Sequence, residues 1–147
     1  MRLVPSDHPN LRRQAETVLS WTAGEHIVKA MWEVMYANRG IGLAAPQVGL
    51  PLQIVVIDCE GFKDVLLNPR IIKRDGSRLC REGCLSLPNA RYAVRRAKTV
   101  TVEYLGMDGQ KHQVRARKSV LAQCFEHETD HLRGVLIDGK APVEVAL

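Results

Sequence analysis

His127-Glu128-Thr129-Asp130-His131 sets two imidazoles four residues apart, with a carboxylate beside the first. On a helix, residues i and i+4 share a face, so both rings can reach one metal ion from a rigid support. Glu128 then stands where it can take a proton from water at that ion. The pattern is short. Its competing reading is a polar helix face with two solvated or hydrogen-bonded histidines.

A catalytic site of this kind needs a third protein ligand and one position left for water. Downstream, Gly134 fits the longer pattern H-E-x-x-H-x-x-G-x-x-H, but Ile137 stands where its last histidine belongs, and the remaining acids are Asp138 and Glu144. Upstream, Glu82-Gly83-Cys84-Leu85-Ser86 places a cysteine beside glycine, where backbone and ligand can approach closely. A thiolate is a strong ligand for a soft or borderline ion. The small buried apolar residue is the alternative for any of Cys59, Cys80, Cys84 and Cys124. A third segment, Gly40-Ile41-Gly42-Leu43-Ala44-Ala45-Pro46-Gln47-Val48-Gly49, is rich in small residues. Gln47 follows Pro46, and its amide can be aimed from a stiff turn at a developing oxyanion. The alternative is a tightly packed connection from helix to strand.

These groups need elements to hold them. Ser119 to Leu132 reads as a helix carrying the two histidines, with Gly134 just past its end. Ile27, Met31, Val34 and Met35 recur at helical spacing, which predicts an amphipathic helix over Glu25 to Asn38. Arg39-Gly40 ends it, with Gly40 expected as the left-handed cap. Gln53 to Ile57 reads as a buried strand. Val65 to Ile72 reads as another, which Pro69 is expected to break or confine to a sheet edge. Asp75-Gly76 and Asp108-Gly109 mark turns. Thr99 to Tyr104 alternates apolar and polar residues, and Lys111 to Val114 follows the second turn, so the two are expected to pair as a hairpin. The order predicts an α+β fold: one domain, residues 1–147, with mainly antiparallel sheets packed around a C-terminal helix.

The chain has 147 residues and a net charge of +5. That is modestly basic, as many soluble enzymes are. The first ten residues lack the apolar stretch of a secretory signal, and no segment approaches the roughly 20 apolar residues of a membrane span. A cytoplasmic location with unpaired cysteines is expected, without membrane association. The basic stretch Arg91, Arg95, Arg96 and Lys98 carries no known nucleic-acid motif, so no specific nucleic-acid binding is expected. His8, His26 and His112 read as surface or capping residues.

Taken together, the three segments resemble the peptide deformylase family, whose signatures have the form GxGLAAxQ, EGCLS and HExDH. Here they stand as Gly40 to Gln47, Glu82 to Ser86 and His127 to His131, in that order. The resemblance implies a hydrolase that removes the formyl group from the N-terminal formylmethionine of nascent polypeptides. It implies Cys84, His127 and His131 as ligands of one divalent ion, ferrous iron in cells, with zinc, nickel or cobalt also accepted. It implies Glu128 as general base and then general acid, and the Gln47 side chain and Leu85 N–H as oxyanion donors. Ile41, Gly42 and Gly83 match backbone positions that pair with an extended peptide, and Arg91 matches an arginine beside it.

Two features depart from the family. Family members carry an apolar residue at the position of Gln123, in the wall of the methionine pocket; here Gln123 can hydrogen-bond, leaving Cys124, Val120 and Leu85 as apolar wall. Only Leu132 to Leu147 follow the motif helix, interrupted by Pro142, so ribosome association is expected to be weak or transient. The principal rival is a closed structural Cys2His2 zinc site of Cys80, Cys84, His127 and His131, which would make the protein an interaction module.

Overall fold

The computed structural model describes residues 1–20, 24–140 and 143–145. The element order is α1 (Glu25–Ala37), β1 (Gly42–Ala44), β2 (Ile54–Cys59), β3 (Phe62–Asp75), β4 (Arg78–Cys84), β5 (Leu87–Arg96), β6 (Thr99–Leu105), β7 (Lys111–Arg117), α2 (Val120–Leu132), α3 (Ile137–Lys140) and β8 (Val143–Val145). Two antiparallel sheets result. One has strand order β1-β2-β3-β6-β7 and the other β4-β5-β8.

The larger sheet is a middle layer, and the period-two alternation of its strands divides the core. Val55 and Ile57 of β2 face α2, joining Val100, Val102 and Tyr104 of β6 and Ala122, Cys124 and Phe125 of the helix. Ile54 and Val56 face the opposite way, onto Val28, Met31, Val34 and Met35 of α1. Phe125 is fully buried and meets Phe62 edge-on at 5.3 Å between centroids. Burying such a ring contributes about 2–3 kcal/mol, so α2 is fixed from its sheet-facing side. Its other side is free to carry polar groups. Ser119 caps the helix, its hydroxyl accepting from Ala122 N–H at 3.1 Å. Gly134, at φ +75°, closes it with the paired bonds Gly134 N–H to His131 O and Val135 N–H to Asp130 O.

The end of α1 differs from expectation. Gly40 is not the left-handed residue; Arg39 is, at φ +57°. Arg39 N–H bonds Tyr36 O and Gly40 N–H bonds Met35 O, the same pair of closing bonds as in α2. Gly40 serves packing instead: a Cβ there would lie 2.9 Å from Leu85 Cδ1. The expectation for Pro69 also fails. β3 is the central strand of its sheet and runs through Pro69 for 14 residues. The missing N–H is absorbed by a register shift between Leu67 and Arg70, with Asn68 at φ +49°.

The β6–β7 hairpin forms as expected, with Gly109 at φ +78° in its turn, and β7 extends past Val114 to Arg117. The smaller sheet was not foreseen. Its β4–β5 hairpin brings Cys84 opposite Leu87 across the turn Leu85-Ser86. Residues 143–145 add β8 beside Arg91 to Ala93. Pro142 lies outside the described residues. Among those described, no helix is long and apolar enough to cross a membrane. His8 caps the short turn at Pro9–Arg12, its Nδ1 accepting from Asn10 N–H. His112 pairs with Asp108 at 3.0 Å.

Candidate active site

α2 and the β4–β5 turn meet at one point. Cys84 Sγ lies 3.3 Å from His131 Nε2, and His131 Nε2 lies 3.2 Å from His127 Nε2. Two nitrogens bound tetrahedrally at the usual zinc–nitrogen length would stand about 3.3 Å apart, and sulfur and nitrogen about 3.6 Å apart. The trio therefore has the spacing of ligands around a single ion. Among the described residues it is the one group of histidine, cysteine and acid side chains close enough to hold a metal.

The two imidazoles are held differently. His127 Nδ1–H donates to Glu82 Oε1 at 2.9 Å, since a carboxylate can only accept, and this leaves Nε2 turned to Cys84 and His131. Burial works against a charge on His127, but the contacts with Cys84 and Glu82 outweigh it and lift its pKa to about 10. Burial and the neighbouring His127 charge push His131 well down.

Glu82 is itself part of a buried chain. Its carboxylate accepts from Arg96 Nε at 2.8 Å and Nη2 at 2.7 Å, and Arg96 Nη1 donates to Asp130 Oδ2 at 2.8 Å. The Arg96 side chain is 0% exposed. Burial raises the Glu82 pKa, and the bonds from Arg96 and His127 overcome that and bring it to about 2. Arg96 thus ties β4 to the motif helix. The sequence reading placed it in a basic stretch; Arg95 and Lys98 of that stretch are exposed, but Arg96 faces inward with Val94. Glu82, Arg96 and Asp130 are functional positions that sequence reasoning missed. The signal was two acids inside the signatures and an arginine in phase with Val94 on a strand.

Glu128 projects beside the trio, 4% exposed. Burial pushes its carboxyl up to about 7, and Oε1 has no hydrogen-bond partner within the protein. Glu128 also contributes to the wall of a cleft. β1 closes on it from the other side: a Cβ on Gly42 would lie 2.8 Å from Cys124 Sγ and 3.0 Å from Glu128 Oε2. Gln47 follows in a short 3-10 turn, 2% exposed. Its Oε1 accepts from Ala44 N–H at 2.9 Å, and its Nε2 donates to Ser86 Oγ at 3.1 Å. The oxygen is spoken for, so the amide nitrogen faces the Cys84 side, 3.9 Å from Sγ. Ser86, 2% exposed, is another partner the sequence reading did not single out.

A cleft of about 560 Å³ opens over these groups. Ile41, Gly42, Gln47, Gly83, Cys84, Leu85, Arg91, Gln123, Cys124, His127 and Glu128 all contribute to its wall. The expected residues are therefore brought together, His131 lying behind them as a ligand of the trio. Gln123 does hydrogen-bond, its Nε2 donating to Glu82 Oε2 at 3.5 Å. Cys80 is not brought in. It is buried in β4 opposite Val94 and lies outside the trio. A closed Cys2His2 site is not supported, and an open three-ligand arrangement stands in its place.

The family described as polypeptide deformylase matches residues 1–143. A peptide deformylase of Nitrosococcus oceani is 44% identical over 132 residues, covering 87% of this chain and 78% of the relative. The crystal structure of a peptide deformylase from Synechococcus elongatus, in complex with actinonin, superposes with a TM-score of 0.91 at 38% identity, covering 96% of this chain and 78% of the other. That of the enzyme from the Vibrio parahaemolyticus bacteriophage VP16T, also with actinonin, gives 0.88 at 38% identity, covering 92% and 99%.

Proposed function

The chain belongs to the peptide deformylase family of metal-dependent hydrolases, and from that premise we propose how its own residues divide the work of freeing formate from N-formylmethionyl peptides. Cys84, His127 and His131 hold one divalent ion. A thiolate with two imidazoles suits iron, zinc, nickel and cobalt alike, and ferrous iron is the ion expected in cells. Such an ion supplies Lewis acidity, making water a nucleophile near neutral pH and polarising the formyl carbonyl.

Glu128 manages the proton. Its unpartnered Oε1 and raised pKa suit a group that takes a proton from water and returns it to the leaving amine. Gln47 is oriented by Ala44 and Ser86, so its NH2 is preset toward an oxyanion, joined by the Leu85 N–H from the opposite wall. Hydroxide adds to the formyl carbon; the C–N bond then breaks as Glu128 protonates the amine.

The peptide lies between two strand edges. β1 and β4 each end their sheet, and each offers main-chain groups that an added strand can use, at Gly42 on one side, beside Ile41 whose carbonyl already accepts from Asp58 N–H, and at Gly83 on the other. A Cβ at Gly83 would meet nothing closer than Ala90 O at 3.8 Å. Protein neighbours do not demand glycine there, which leaves the space for a substrate main chain. Gln123 and Cys124 face the first side chain, and Arg91 lies farther along. The observation that carries this reading is the Cys84–His127–His131 spacing beside the unpartnered Glu128 oxygen. Formate release from formyl-Met-Ala-Ser by anaerobically purified, metal-loaded protein tests it; turnover is expected, and none would overturn it.

A further inference from the structure

The rim of the cleft carries charges that the hydrolysis does not use. Arg39, Arg81 and Arg91 all contribute to the wall, and all three are exposed. Other arginines are committed elsewhere: Arg12 to Asp138, Arg70 to Glu103, Arg74 to Glu126, and Arg96 to Glu82 and Asp130. Among the described residues, no carboxylate pairs with Arg39, Arg81 or Arg91. The acids of the same wall are Glu82 and Glu128, both buried, and Glu82 is already taken by Arg96 and His127. Asp58, whose N–H bonds Ile41 O, spends its carboxylate on the Tyr36 hydroxyl at 2.6 Å. The cleft mouth is therefore cationic without local compensation.

The arginines are also placed in register with a bound peptide. Arg81 stands two residues before Gly83 on the β4 edge, about 7 Å along an extended strand, away from Cys84. Arg39 stands two residues before Ile41 on the facing wall. A peptide with its formyl group at Cys84 and its main chain between Gly42 and Gly83 reaches this rim with its second and third residues.

We propose that Arg39 and Arg81 are specificity-determining residues that select N-formylmethionyl peptides with acidic side chains at the second and third positions. The proposal rests on the deformylase reading of the cleft. The attraction is between solvent-exposed charges, so it acts on capture and is screened by salt.

The test compares formyl-Met-Glu-Glu, formyl-Met-Gln-Gln and formyl-Met-Lys-Lys with metal-loaded enzyme at low and high salt. Binding of the unformylated Met-Glu-Glu and Met-Lys-Lys is measured alongside by calorimetry, which needs no turnover. At low salt kcat/KM should favour the acidic over the basic peptide by about tenfold or more, chiefly through KM, and high salt should erase most of it. Arg39→Asn with Arg81→Gln should bring the ratio near one, Asn being chosen because it tolerates the left-handed backbone at that site. Arg81→Glu should favour the basic peptide. Equal rates and equal binding at low salt, or a basic preference in the unaltered protein, would overturn the proposal. If no formyl peptide is turned over, the deformylase reading fails, and the calorimetric comparison still decides the rim.

Discussion

The Glu82 carboxylate sits 2.9 Å from His127 Nδ1, on the side of the ring opposite the one that faces Cys84 and His131. This one bond sets Nδ1 as the donor and leaves Nε2 turned toward His131 and Cys84. The same carboxylate is clamped by Arg96, so the ligand is oriented by a rigid buried chain and not by a mobile side chain.

Glu82→Gln should therefore weaken metal binding without removing a ligand. An outer partner of a metal-bound histidine is worth about 10–100-fold in affinity. Competition with a coloured chelator measures it. An affinity equal to the unaltered protein's would show that the Glu82 contact does not orient the ligand.

Glu82 also predicts an acid limit. Its pKa is lowered from 4.5 to about 2 in the folded protein. A depressed carboxyl contributes stability that is present above the unfolded value and is lost as pH falls through the folded one. The window is thus pH 4.5 down to about 2. Between pH 5 and pH 3 the loss should be about 2 kcal/mol, since one unit is about 1.4 kcal/mol. Urea denaturation at the two values checks it, and in Glu82→Gln this contribution should be missing.

Gln47→Ala should leave substrate capture nearly intact and slow the chemical step. Loss of one oxyanion donor costs about 10²–10³-fold in kcat. A rise in KM at constant kcat would instead make Gln47 a residue of binding only.

Gly42→Ala tests how closely β1 approaches the reacting groups. The new methyl would press on Cys124 Sγ at 2.8 Å and Glu128 Oε2 at 3.0 Å. Overpacking of this kind costs about 1–3 kcal/mol, and displacing Glu128 by a fraction of an ångström should lower kcat by about 10²-fold. Thermal denaturation and kcat are read together. Unchanged values of both would mean that β1 yields freely.

How far the sequence announced all this depended on the local signal. α2 was legible because capping serine, apolar phase and trailing glycine agree from Ser119 to Gly134, and the i, i+4 histidines ride on it. The β6–β7 hairpin was legible because Val100, Val102 and Tyr104 alternate cleanly around a two-residue turn signal. The β4–β5 hairpin was not, since its strands mix buried charge with exposed apolar residues: Arg96 and Glu82 point inward, while Leu79 is 60% exposed. A buried ion pair inverts the polarity pattern on which strand reading depends. Pro69 misled for a related reason, because a bulge at Asn68 lets a central strand carry a proline. At Arg39 and Gly40 the residue types suggested one division of labour and packing against Leu85 imposed the other. The metal trio was legible only because three signatures coincide; no spacing in the chain brings Cys84 within reach of His127, and the fold does that.

The most direct measurement is formate release by Glu128→Gln beside the unaltered protein, with metal content determined for both. Glu128 is the proton carrier in this mechanism and is not a ligand, so the variant should bind one equivalent of metal and lose about 10²–10⁴-fold in kcat. A metal-loaded Glu128→Gln that turns over formyl-Met-Ala-Ser at the unaltered rate would contradict the mechanism at its centre.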